Sequence, residues 1–396
     1  MKGAAVNSSL PFASEAASAV RKVSDFIHDN PELGYKEFQA SAKLKELLRS
    51  WGFRIEENVC GLETAFKAYW ESTDDKNIPV FCFMGEYDAL AGLGHGCGHN
   101  LIAAASLFAA YAAKRMIETD RIPARICYIG TPAEEGLGGK VKLVAGGAFQ
   151  DIAAGVIAHP LDHTSPDFGC LSVARAYIDF YGRASHAAFA PEEGINALDA
   201  LVAFYDGILE WKKTITERQR VHGIFTKGGD AANIIPDHTQ AFFYIRAGNE
   251  SEIGLMKQRL ESITSGAPGK TGCSTAVDWV SAYEGKVLSK AVNDEFNRGW
   301  REYGVELKET NGTEGRGSTD TGDVSYVIPC AHYYFGVTGG VPAALHTVEF
   351  REFAKTDEAF EAAMKTGSIM AQVCLRYFTD KTFREAVHRD FETAEK

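Results

Sequence analysis

Four short apolar runs, Ala65 to Trp70, Pro79 to Met84, Ala124 to Gly130 and Ala154 to Ala158, each stop abruptly at a polar or glycine-rich segment. Helical spacing occupies the stretches Ser14 to His28 and Glu37 to Trp51, with Asn30-Pro31 and Leu33-Gly34 marking the turn between them, and an alanine-rich helix begins near Leu101. Strands this uniformly apolar are buried on both faces, so the pattern predicts an α/β sheet with helices packed over it. Polar side chains then collect in the loops at the strand ends, where open α/β sheets carry their sites.

Around Pro166 to Gly169 the texture changes. Leu171 to Tyr181 alternates as a strand, Glu193 to Lys213 reads as a helix, and Val221 to Lys227 and Gln240 to Arg246 read as two strands. Glu252 to Ile263 is then a helix and Ala276 to Ala282 a last strand. The order βαββαβ is that of a ferredoxin-like two-layer domain. From about Lys286 longer helices return, with one apolar run, Ala331 to Val337, that could rejoin the first sheet. The expected organisation is a mixed-sheet α/β domain in two parts, residues 1–168 and 285–396, interrupted by an inserted ferredoxin-like domain over residues 169–284.

A chain of 396 residues exceeds what one core usually serves, and 45% apolar with 24% charged residues is the balance of an ordinary globular protein. The 41 basic against 53 acidic residues leave a net charge of −12, which opposes a sequence-independent grip on phosphate backbones, so nucleic acid is not expected as a partner. The N-terminal stretch is interrupted by Asn7, Pro11 and Glu15 and does not read as a signal peptide. The longest apolar stretch, Leu101 to Ala113, is too short for a bilayer span. The eight cysteines lack the tight spacing of a disulfide scaffold and read as reduced, seven of them as small core residues, in a cytoplasmic protein without membrane attachment.

Three segments carry candidate chemistry. In GEYDALAGLGHGCGHN, Cys97 and His99 lie two residues apart in a glycine-rich turn between a strand and a helix, so a tight loop can turn both toward one ion. Alone, the pair reads more readily as a core thiol beside a capping histidine. In TPAEEGLGG, Glu134 and Glu135 follow a buried strand. Adjacent acids are usually solvated surface, but at a strand end one can bind metal while its neighbour takes a proton from water. His159 closes another apolar strand before Pro160, and His346 stands in AALHTVEF; each is weak by itself. Together they offer one thiolate, three imidazoles and a carboxylate, a borderline-soft donor set that suits zinc and tolerates manganese, cobalt or nickel.

With VIAHP, GRASHAA, NIIPD and GSTDTGDVS following in order, these motifs resemble the aminoacylase and carboxypeptidase G family of metallopeptidases (clan MH). The resemblance is to its amidohydrolase branch, with p-aminobenzoyl-glutamate hydrolase, the auxin-conjugate hydrolases and a β-alanyl dipeptidase. It runs from HDNPELGYKEF to His346. The resemblance implies a di-metal hydrolase catalytic domain with the inserted domain as lid and dimer interface, and one or two divalent ions, zinc or manganese, per subunit. It implies Cys97, His99, Glu135, His159 and His346 as ligands, Glu134 as general base and Asp88 as the aspartate behind the metal site. His186 matches a histidine that, in family dimers, reaches the neighbouring subunit's site to steady the oxyanion. Asn233 and Arg246 match positions near the substrate's carboxylate or carbonyl. Ala91, Gly96 and Asn100 depart from common motif residues without removing a ligand; Asn100 points away from the auxin-conjugate relatives.

The expected activity is hydrolysis of a small N-acyl or N-aroyl amino acid or dipeptide by a homodimer. Two other readings stand beside it: a cysteine hydrolase using Cys97 as nucleophile, and a non-catalytic metal-binding or sensory relative. A zinc deaminase lacks its downstream Pro-Cys-x-x-Cys. His95, His163, His238 and His332 read as structural, and Asp320 and Asp323 equally as pocket-lining or helix-capping residues.

Overall fold

The computed structural model describes residues 13–269, 271–308 and 317–394. The chain opens with α1 (Ala13–Asp29), α2 (Phe38–Ser50), β1 (Arg54–Glu57), β2 (Phe66–Glu71), β3 (Val80–Gly85), α3 (His99–Asp120), β4 (Arg125–Gly130), α4 (Gly139–Ala145) and β5 (Ile152–Leu161). Next come β6 (Ser172–Tyr181), β7 (Ser185–His186), α5 (Ala197–Lys212), β8 (Arg220–Lys227), β9 (Ile234–Ile235), β10 (His238–Ala247), α6 (Glu250–Gly266) and β11 (Ser274–Tyr283). The chain closes with α7 (Lys290–Glu302), α8 (Thr321–Val327), β12 (Cys330–Gly336), α9 (Val348–Phe353), α10 (Asp357–Thr379) and α11 (Lys381–Thr393). Described residues divide into two compact units, 13–169 with 287–308 and 323–394, and 170–286 with 317–322.

The first unit is built on a six-stranded sheet of order β1-β2-β4-β3-β5-β12. β1 and β4 run antiparallel to β2, whereas β4, β3, β5 and β12 are mutually parallel neighbours, which makes the sheet mixed. Every residue of β3 is buried, as its unbroken apolar run demands of a central parallel strand. The late run 331–337 does return to this sheet, as β12 beside β5. On one face lie α1, α3 and α10, whose side chains share a core with Phe81, Phe83, Tyr128 and Tyr333. α3 is buried almost throughout because its alanines let neighbours approach closely. At Gly367 of α10 a Cβ would sit 2.6 Å from the Ala105 carbonyl, so the two helices meet there at backbone contact. The opposite face packs Cys82, Cys127 and Cys330 against Leu143, Phe149, Val324 and Ile328.

All eight cysteines are free, as expected, but reading seven as core needs correction. Cys60 is exposed and Cys170 and Cys273 are half-buried. Cys60 sits in a left-handed turn with φ 55°, where the chain leaves the surface strand β1.

The second unit is an antiparallel sheet of order β11-β6-β10-β8 with α5 and α6 against one face, in the chain order strand, helix, two strands, helix, strand. β10 alternates strictly, burying Ala241, Phe243, Ile245 and Ala247, as a strand with one covered face must. α5 starts later than Glu193: Pro191–Glu193 form a separate turn, and Asn196 caps the helix by accepting the Leu198 N–H at 2.9 Å. Segment 317–322 joins this unit through Leu171 N–H to the Gly317 carbonyl at 3.3 Å and the Ser318 hydroxyl to the Leu171 carbonyl at 3.0 Å. Among the described residues no helix is long and apolar enough to cross a membrane.

Candidate metal centre

The first unit's parallel strands deliver their polar loops to one edge. β3 runs into the segment holding Glu86, Asp88, Cys97 and His99, and β4 into Glu134 and Glu135. His159 lies within β5, opposite Tyr334 of β12. Gly98, between two candidate ligands, has φ 73°, and a Cβ there would meet Pro160 Cγ at 2.6 Å. Only glycine lets the chain turn so sharply before α3 begins at His99. His346 also adopts the left-handed region, φ 63°, and its N–H donates to the Gly96 carbonyl at 2.9 Å, which ties the last candidate ligand to the backbone of the first loop.

The structure gathers Cys97, His99, Glu134, Glu135, His159 and His346. Donor atoms of Cys97, His99 and His159 lie within 4.8 Å of one another, and so do those of Cys97, Glu135 and His346, and of His99, Glu134 and Glu135. Cys97 Sγ is 3.4 Å from His159 Nε2, Glu135 Oε1 is 3.6 Å from His346 Nε2, and His99 Nε2 is 3.8 Å from Glu135 Oε1. Donors about 2.0–2.3 Å from a tetrahedral ion stand roughly 3.3–3.8 Å apart, so the separations fit a divalent metal. Among the described residues, two buried atoms of this cluster, His99 Nε2 and Glu135 Oε1, have no hydrogen-bond partner, which leaves them available to an ion.

Asp88 orders the site from behind. Its Oδ1 lies 3.0 Å from His99 Nδ1, and its Oδ2 accepts the Glu135 N–H at 2.9 Å. The first contact favours the proton on Nδ1, which would leave Nε2 available to an ion. Burial disfavours the charged form of His99, but Asp88 outweighs it and raises the imidazole well above its ordinary value. Burial pushes the Cys97 thiol well up despite His99, so a thiolate here requires an adjacent cation. His159 Nδ1 is 2.7 Å from the Pro160 carbonyl, leaving Nε2 on the Cys97 side.

Two residues went unread in the sequence. Glu86 is completely buried, with Oε1 2.6 Å from Lys140 Nζ and Oε2 3.5 Å from His99 Nε2. Lys140, equally buried, comes from the first turn of α4. Burial raises the Glu86 carboxyl, but Lys140, His99 and His159 together bring it below its ordinary value. The spacing Glu86-x-Asp88 at a strand end was the available signal.

The other candidates belong to the second unit. His186 on β7 is exposed and pairs opposite Ile234 of β9, and the Ala187 N–H donates to the Asn233 carbonyl at 3.0 Å, so these two candidates are neighbours. His186 Nδ1 accepts from the N–H groups of Ala188 and Phe189 at 3.3 and 3.2 Å, which leaves Nε2 to carry the proton. Arg246 on β10 donates to the Ser318 hydroxyl at 2.5 Å. Burial and Arg175 lower its pKa, so an anion beside it would be favoured. Asp320 is fully buried, and Asp323 falls in the first turn of α8.

Mouse Xaa-Arg dipeptidase is 33% identical over 394 residues, covering 96% of this chain and 90% of the relative. A subunit of the p-aminobenzoyl-glutamate hydrolase of Escherichia coli (strain K12) is 26% identical, covering 90% of this chain and 89% of the relative. A solved dinuclear metal-binding peptidase of family M20 from Bacillus subtilis superposes with a TM-score of 0.69 at 17% identity, over 91% of this chain and 99% of that one, and so shares the fold. Residues 82–371 match the family Peptidase family M20/M25/M40, and with the extent of the mouse relative this makes the chain a member of that peptidase family.

Proposed function

We propose that this chain is a metal-dependent amidohydrolase that cleaves the amide bond of a small N-acyl or N-aroyl amino acid or a dipeptide. The observation that carries the reading is the convergence of Cys97, His99, Glu135, His159 and His346 donors with the Glu134 carboxylate beside them. A divalent ion held by these donors would supply Lewis acidity toward the scissile carbonyl and toward a water. Glu134, half-buried and so reachable by solvent, takes the proton from the attacking water and passes it to the leaving nitrogen. Asp88 holds His99 and the Glu135 backbone in place. His186 offers its Nε2–H to the developing oxyanion, in a homodimer from the neighbouring subunit, while Arg246 and Asn233 receive the substrate's carboxylate or carbonyl. The second unit is then a ferredoxin-like lid that also forms the dimer interface.

Thiolate and imidazole donors favour zinc, with manganese the alternative. Two overlapping donor groups that share Cys97 support two ions per subunit. Eight free cysteines suit a cytoplasmic enzyme.

The test is a panel of p-aminobenzoyl-glutamate, β-alanyl-lysine, N-acetyl amino acids, an indole-acetyl conjugate and, prompted by the mouse relative, dipeptides ending in arginine. Protein loaded with zinc or manganese is assayed before and after chelation. Chelator-sensitive cleavage of any member supports the reading; silence across the panel with metal bound counts against it. Glu134→Gln should keep the metal and lose turnover, and retained turnover would sink the base assignment.

A further inference from the structure

The segment between α1 and α2 carries no candidate ligand, yet it touches both loops of the metal centre. Leu33 bridges to Ala89, the Ala89 N–H donates to the Glu32 carbonyl at 2.8 Å, and the Tyr35 hydroxyl donates to the Leu137 carbonyl at 2.9 Å. A Cβ on Gly34 would lie 3.0 Å from both Cα and Cβ of Ala133.

Glu37 sits at the centre of this contact, completely buried. Its Oε1 accepts the N–H of Tyr35 at 2.9 Å and that of Ala133 at 2.8 Å, and its Oε2 accepts the Thr64 hydroxyl at 2.8 Å. The helix it precedes does not need this carboxylate. Glu37 makes no side-chain cap, because Glu32 Oε2 accepts the N–H groups of Gln39 and Ala40 at 2.9 Å each.

Ala133 immediately precedes the proposed base and has φ 60°, a left-handed conformation that is strained for a residue with a Cβ. Two hydrogen bonds hold it there: its N–H on Glu37 and its carbonyl on the Gly139 N–H at 3.0 Å. Two residues on, Asp88 grips the Glu135 N–H. Carboxylates from two separate segments therefore hold the amides on either side of Glu134, at Ala133 and at Glu135.

We infer that Glu37 is a positioning residue for the reaction, fixing the height and direction of Glu134 by anchoring the Ala133 amide. The inference rests on Glu134 being the base. Burial, with Asp88 second, pushes the Glu37 carboxyl up to about 7. An uncharged side chain of the same shape can therefore replace it: a glutamine oxygen accepts both amide N–H groups while its NH2 donates to Thr64.

The experiment compares Glu37→Asp and Glu37→Gln with wild type, metal-loaded, on whichever panel member is cleaved. Aspartate keeps the charge but withdraws the carboxylate by one methylene, beyond reach of Ala133. A base misplaced by about 1 Å costs on the order of a hundredfold. The expectation is a kcat loss of that order in Glu37→Asp, with KM and bound metal within about twofold of wild type, and kcat largely recovered in Glu37→Gln. Unchanged kcat in Glu37→Asp, a loss seen in KM or metal content instead, or a glutamine variant as poor as the aspartate one each overturns the inference. Glu134→Gln, run in parallel, separates the two readings: if it is inactive while Glu37→Asp is fully active, the base stands and the positioning role falls.

Discussion

Lys140→Met tests whether the ion pair beneath the metal centre acts as structure. Nζ lies 2.6 Å from Glu86 Oε1 and neither side chain has solvent access. At an effective dielectric near 20 the attraction at that distance is about 6 kcal/mol, opposed by several kcal/mol of desolvation for each ion. The pair as a whole therefore contributes little net stability, but removing the lysine alone strands a buried carboxylate. Such stranding costs about 3–5 kcal/mol. The low end is taken, because a cation held by His99, whose Nε2 lies 3.5 Å from Oε2, would bring positive charge close to the stranded carboxylate. Methionine keeps most of the lysine's volume, so a cavity adds little. At about 2.1 cal/mol/K of unfolding entropy per residue, a loss of ~3 kcal/mol in a chain of 396 residues lowers Tm by roughly 3–4 °C. The assay is thermal unfolding at saturating metal and fixed protein concentration, since bound metal itself moves Tm. Adding Glu86→Gln to Lys140→Met should recover at least half of the loss. A single variant that melts within about 1 °C of wild type would refute the reasoning, because it would mean that Glu86 is not charged in the folded protein.

Three further outcomes follow from the same geometry. Burial raises Glu37 to about 7, so wild type loses stability as pH climbs from the unfolded value toward 7, by roughly 3 kcal/mol in all, whereas Glu37→Gln does not; urea midpoints at pH 5 and pH 8 should diverge between the two proteins, and parallel shifts would contradict this. Gly139→Ala would drive a Cβ into the Pro132 carbonyl oxygen, so the Glu134 turn must move, and kcat should drop at least tenfold with the overall circular dichroism unchanged. Asp88→Asn leaves one side of the His99 and Glu135 contacts without an acceptor and should weaken metal binding by about 10–100-fold in a chelator competition; undiminished affinity would remove Asp88 from the site.

The central strands were legible because burial on both faces writes an unbroken apolar run, and β12 could be matched to the first sheet for the same reason. β1 could not: its residues Arg54 to Glu57 are mostly exposed at the sheet edge and read as loop. β7 and β9 are two residues each, too short to leave a period, although they bring His186 beside Asn233. The donor cluster was readable as a set of strand-end residues, and the loops supplied the convergence. Of its supports, Asp88 was named through the family resemblance, whereas Glu37 and Lys140 were not read. Glu37 resembles any acid at a helix start, and Lys140 any lysine on a short helix, because the partners that bury them lie far away along the chain. Cys60 shows the converse error, a thiol assigned to the core by composition and found at the surface.

The hydrogen bond from His346 to Gly96 joins points separated by more than half of the chain. Closing that span has an entropic cost that grows only slowly with its length, but it cannot be met until the last strand is in place. A growing polypeptide released as far as β11 already contains Cys97, His99, Glu135 and His159 and still lacks the donor that completes the set. Assembly of the proposed ion site is thereby coupled to synthesis beyond β12, and a chain truncated before β12 carries the proposed base without the full donor set beside it.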